Sequence, residues 1–179
     1  MATTILKALS QEGVHAVGAI NSIHVDTLAH GAKCKEDIDN FTLVELAGFD
    51  ADDNVAECQQ LSDKANQVYL IATVEQRYMN EDIGHFYNAT GEDARLVVLK
   101  SNYTRFEQSA YSKNTGLVTI VKGNVAHFDV ATKNFIISDA SSPHVDYATS
   151  SAQFLVVGDE EDTSGNFIKA TVRLMCTKA

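Results

Sequence analysis

No stretch of the sequence approaches the run of about eighteen apolar residues that a membrane-spanning helix requires, so no membrane partner is expected. The amino terminus, MATTILKALSQEGVHAV, lacks a basic leading segment and a long apolar core, which makes it a poor secretory leader. The expectation is a soluble protein made in a cell's cytoplasm. Basic residues are also scarce. Fourteen Lys and Arg face 24 Asp and Glu, a formal charge of −10, with no basic cluster beyond isolated pairs. A surface of that sign repels a phosphate backbone, so nucleic acid is not an expected partner. Cysteine is rare and odd in number. Cys34, Cys58 and Cys176 are far apart in sequence, which fits neither a disulfide framework nor a CxxC metal knuckle.

Signatures of chemistry are missing as well. There is no GxSxG elbow, no phosphate-binding loop and no GxGxxG after a strand. The six histidines (His15, His24, His30, His85, His127, His144) include no helical i, i+4 pair and no HxH. His127 and Asp129 lie two apart on one strand face, a spacing that can present two metal ligands, although a solvated strand face is the commoner use of such a pair. Asp50–Asn54 (DADDN) lacks the glycine and the bidentate glutamate of a calcium loop, and Asp159–Asp162 (DEED) reads as a solvated loop. No catalytic residue, cofactor site or metal site is assigned, and no enzyme activity is expected.

What is present is strand. With 45% hydrophobic residues the chain has the composition of an ordinary folded domain, and its dominant period is two. Short β-rich runs occur at Phe41–Leu46, Val68–Thr73, Arg95–Lys100, Arg105–Tyr111 and Phe154–Val157, and Val55–Leu61 is a further candidate. In NFIKATVRLMC, residues Ile168, Ala170, Val172, Leu174 and Cys176 share one face, so that face is predicted to be buried, Cys176 included. The segment GLVTIVKGNVAHFDVATKNFIISD predicts a three-stranded meander. In it Gly123-Asn124 joins Leu117–Val121 to Val125–Val130 through a type II′ turn, and Ala131–Asn134 turns the chain into Phe135–Ser138. In the middle strand Ala126, Phe128 and Val130 face inward, which leaves His127 and Asp129 outward. One short helix is predicted over Asn80–Asn88, opened by an N-cap residue and two acids, with Gly84 weakening it. Ser141–Ala152, which carries the single proline Pro143, reads as a loop.

The fold class expected is therefore mainly β, with antiparallel sheets forming a barrel-like or sandwich domain over residues 41–179, one short helix, and an extended N-terminal arm or edge strands over residues 1–40. Among the aromatics, Tyr103, Phe106 and Tyr111 form one group and Tyr78, Phe86 and Tyr87 another. Most are expected in the core, and any exposed patch would mark an interface.

Four segments, QVYLIATVEQRYMNEDI, GEDARLVVLKSNYTRFEQSAYS, KGNVAHFDVATKNFIISD and AQFLVVGDEEDTSGNFIKATVRLM, taken in order over about residues 67 to 176, resemble tailed-bacteriophage virion proteins of the head-decoration or head-fibre type. The resemblance is one of strand and turn residues, and it carries no catalytic or binding residues over to this chain. It implies a β-rich subunit that docks on the outer face of an assembled head and stabilises it. The partners it implies are the major capsid protein and further copies of the chain, in such proteins often as trimers. The implied location is the capsid surface of the virion. Rival readings are another phage head or tail structural component, a cytoplasmic ligand-binding β-barrel, or a small enzyme built on a pair such as His127 and Asp129.

Overall fold

The protein is described by a computed structural model over residues 18–20, 28–52, 55–74, 86–158 and 170–179. It is mainly β, with a closed barrel beside a curled open sheet. Among the described residues, helix is confined to a 3-10 turn at Tyr147–Thr149, and no helix is long and apolar enough to cross a membrane. The predicted helix ends differently. Its last two residues, Tyr87–Asn88, are strand, because the buried Asn88 amide donates to the Ile38 carbonyl at 3.2 Å and the two segments pair; Asn80–His85 lie outside the described residues.

Strands β1 (Gly18–Ile20), β2 (Leu28–Cys34), β3 (Ile38–Asp39), β4 (Leu43–Phe49), β5 (Ala56–Gln60), β6 (Tyr69–Ile71), β7 (Tyr87–Asn88) and β8 (Asp93–Val98) make up the first half. The barrel closes in the order β2-β5-β4-β6-β8, with β2 and β5 parallel and the other pairs antiparallel. Within the residues read as an arm, β2 is thus a barrel strand and β1 an edge strand of the other sheet; residues 1–17 and 21–27 lie outside the described residues.

The second half contributes β9 (Arg105–Gln108), β10 (Tyr111–Lys113), β11 (Val125–Asp129), β12 (Asn134–Ser138), β13 (Gln153–Val156) and β14 (Val172–Lys178). With β1 they form a seven-stranded sheet, β1-β9-β14-β13-β11-β12-β10, antiparallel except for β10 against β12. The β11–β12 hairpin turns through Ala131–Lys133, as its sequence predicts, with the Lys133 amide donating to the Asp129 carbonyl at 2.9 Å.

The first arm of the predicted meander is a correction. Leu117–Val121 is not a strand, because both edges of β11 are already taken, by β12 and β13. The turn there is Val121–Asn124, closed by the Asn124 amide on the Val121 carbonyl, with Gly123 third at φ +100°. That is the glycine position of a type II turn, not of a hairpin II′.

Alternation sorts the barrel side chains into two cores. Val44, Ile71 and Leu96 point inward with Ala32, Cys34 and Cys58, and these small side chains fill a narrow five-stranded lumen. Their neighbours Leu43, Leu70 and Val97 point outward, onto the inner face of the seven-stranded sheet. There Phe106, Phe128, Phe135 and Phe154 form an aromatic cluster with centroids 5.3–5.6 Å apart in tilted or edge-to-face geometry. Each such ring, fully buried, contributes about 1.5–3 kcal/mol. Barrel and sheet therefore share one core. Buried Gln108 ties them further: its Nε2 donates to the Phe41 carbonyl at 2.5 Å, and its Oε1 accepts from the Ala110 amide at 2.8 Å. In β14, Val172, Leu174 and Cys176 are buried, as the alternation in the sequence predicts.

Candidate functional site

Polar chemistry converges on the outer face of β11. His127 points away from Ala126 and Phe128, and sequence alternation sends it to solvent. It is instead 1% exposed. The loop after β12 folds back over this face and lays His144 on it, the two imidazoles stacking 4.9 Å apart at 19°. The fold-back is fixed at its start, where the His144 amide donates to Ser138 Oγ at 3.2 Å. It is fixed at its end by the Tyr147–Thr149 turn, whose Ser150 hydroxyl donates to the Asp146 carbonyl at 2.8 Å.

Asp146 stands beside the two rings. One carboxylate oxygen, Oδ1, accepts from Lys64 Nζ. The other, Oδ2, faces His144 Nδ1 at 3.7 Å. The Lys64 hydrogen bond holds the Asp146 carboxyl below the ordinary carboxylate range. One ligand atom from each of His127, His144 and Asp146 falls within 4.8 Å of the others. Among the described residues, neither nitrogen of His127 has a hydrogen-bond partner. Burial, and then the neighbouring His144, push its basicity down to about 4, so the ring is a neutral donor of a lone pair at ordinary pH. The cleft in front measures about 300 Å³ and is bordered by Asp63, Lys64, His127, Asp129 and Asp146.

Asp129, the partner that the sequence offered to His127, borders the same cleft but is occupied. Its Oδ1 accepts from the Ala131 amide at 3.3 Å, and its Oδ2 accepts from the Thr132 amide and hydroxyl at 3.1 and 2.6 Å. Partial burial would raise its pKa, and these donors outweigh it and lower it. Asp129 is the cap of the β11–β12 turn. The residues that do meet His127 were not singled out by sequence reasoning, since His144, Asp146 and Lys64 lie 17, 19 and 63 positions away and no local spacing joins them.

A second feature is apolar. The β4–β5 hairpin leaves two large apolar side chains exposed: Leu46, 46% exposed and opposite Cys58 where β5 still pairs with β2, and Phe49, 71% exposed and opposite Ala56, past that pairing. A bulge between Leu46 and Gly48 twists this tip, and Gly48 takes φ +121°. A Cβ there would meet nothing within 4 Å, so it is the backbone conformation that asks for glycine. The hairpin is held at both ends. Lys33 pairs with Asp50 at 3.2 Å near the tip. At the base, Glu45 accepts from Gln59 at 2.7 Å, Ser62 at 2.6 Å and Asn66 at 2.6 Å. Phe49 is an exposed apolar side chain with the acidic Asp50 and Asp52 near it in the chain.

Inside the barrel the structure brings together two thiols that the sequence left apart. Cys34 and Cys58 face each other across the parallel β2–β5 pair with Sγ atoms 3.9 Å apart, both reduced and buried. Hydrogen bonding to Cys58 and then burial push the Cys34 thiol well above the usual range.

These features define a mainly β protein with a filled lumen, an apolar patch on the β4–β5 hairpin and a polar cleft beside a stacked histidine pair. The sequence matches the YonC prophage protein family over residues 11–177, and the chain belongs to that family. It is 51% identical over 180 residues, covering all of both chains, to a protein of Bacillus subtilis (strain 168) described as the SPbeta prophage-derived uncharacterized protein YonC. No solved structure matches it. The phage origin that the resemblance implied is thereby established, at the level of a phage-derived protein.

Proposed function

We propose that this chain is a virion structural protein that decorates the outer surface of the phage head, docking on the major capsid protein through the tip of the β4–β5 hairpin. The observation that carries this reading is the pair Leu46 and Phe49, large apolar side chains left exposed on one hairpin. Large exposed apolar side chains are the usual anchors of protein interfaces, and a polar rim around them completes such a contact. The charge of −10 suits a protein that works outside the shell, away from packaged DNA. Many copies on one lattice need only weak individual contacts to stay bound.

The ligand-binding barrel is less favoured, because side chains such as Val44, Cys58, Ile71 and Leu96 fill the lumen that a ligand would need. The Gly18–Ile20 segment, part of the expected N-terminal arm or edge strands, pairs with β9 of its own chain.

The test is co-sedimentation of the purified chain with expanded empty heads of the phage that encodes it. The expected outcome is saturable binding at a fixed ratio to the capsid subunit, weakened by Phe49→Ser. A chain that stays in the supernatant at every concentration would overturn the proposal.

A further inference from the structure

The cleft on β11 is not used by the docking surface, and its chemistry is specific. We infer that His127, His144 and Asp146 form a binding site for a divalent transition-metal ion of the zinc class, which fastens the loop after β12 to the sheet. The donor set is two imidazoles and a carboxylate, the ligands that zinc accepts in three-residue sites with a fourth position left to water. The atoms lie within 4.8 Å of one another, whereas ligands around a tetrahedral ion are about 3.3 Å apart. Closing that difference asks for a small rotation of His144 and Asp146, which sit on a partly exposed loop. His127 on its strand is the fixed point.

The second observation is independent of the cluster. His127 is almost fully buried, yet among the described residues both of its nitrogens lack a partner. A polar atom left this way costs about 1–3 kcal/mol, and an ion in the cleft would accept the lone pair that nothing in the described protein accepts. Asp146 is arranged for the same role. Lys64 occupies Oδ1 and leaves Oδ2 toward the histidines. The Lys64 ammonium therefore holds the carboxylate in place in the metal-free protein and opposes a dication by charge. It is a competitor built into the site.

The experiment uses the full chain stripped with chelator and titrated with zinc chloride by calorimetry, followed by metal analysis after dialysis. Cobalt(II) serves as a spectroscopic substitute. The expected result is one ion per chain, a rise in the thermal midpoint, and visible cobalt bands of a four-coordinate nitrogen–oxygen site. His144→Ala and Asp146→Asn, both on the loop and checked for a wild-type fold by circular dichroism, should each weaken binding by at least about tenfold. Lys64→Ala should tighten it. Absence of binding at submillimolar zinc overturns the inference. So does a stoichiometric ion whose affinity is unchanged in His144→Ala and Asp146→Asn, since other histidines would then hold it.

Discussion

Replacing Glu45 by glutamine tests how the hairpin is held. Glu45 is 7% exposed. Burial alone would raise its pKa, but donors from Ser62, Asn66 and Gln59 outweigh it and hold the carboxyl at about 2, against an ordinary 4.5. At about 1.4 kcal/mol for each tenfold change in proton affinity, the folded state favours the ionised form by at most about 3.5 kcal/mol. The sign follows from the lowered pKa: this stability is complete above pH 4.5 and disappears as pH falls toward 2. Glutamine at position 45 cannot ionise, and its amide NH₂ meets the donors of Gln59 or Asn66. Glu45→Gln should therefore cost about 2–3 kcal/mol at neutral pH and progressively less below pH 4.5. Urea midpoints of both proteins, measured from about pH 7 to pH 2, give the difference directly. Losses from other titrating groups, such as the buried neutral His127, affect both proteins and cancel in it. A gap that stays constant from neutral pH to pH 2 would refute the ionic clamp.

Phe135→Ala removes a ring that touches Phe106, Phe128 and Phe154; it should cost about 3–5 kcal/mol and, in urea, leave a single transition by both near- and far-UV circular dichroism, since barrel and sheet share that core. Cys34, Cys58 and Cys176 are all buried, so Ellman's reagent should find no fast-reacting thiol in the native chain and three after denaturation; a thiol that reacts at once in native protein would contradict the burial. Phe49→Ser should change the thermal midpoint little, within about 0.5 kcal/mol of stability, because the ring is 71% exposed; a large loss would show that the ring is structural.

The strands were legible where alternation met burial on a single face. Leu174 and Cys176 on β14, and Leu96 and Val97 on β8, announce their faces because each has one apolar side to satisfy, or two different cores to fill. The Asp129–Asn134 turn was legible because its chemistry is local. Leu117–Val121 misled because alternating apolar residues predict a strand only if an edge is free, and β11 has none; Val118 is left 85% exposed. His127 misled for the opposite reason. Its side of β11 carries a polar residue, as a solvated face does, and only the return of the loop through His144 covers it. The Cys34–Cys58 contact and the Lys64–Asp146 pair are products of strand order. Spacing along the chain holds no trace of them, since the parallel β2–β5 neighbours and the cleft walls are assembled from distant segments.

The most direct test of the docking reading is quantitative mass spectrometry of gradient-purified particles of the phage that encodes this chain. The expected result is the chain present in a fixed, high ratio to the major capsid protein and released when the head is stripped with mild denaturant. Particles that lack it while the chain accumulates in the soluble lysate would contradict a place on the head.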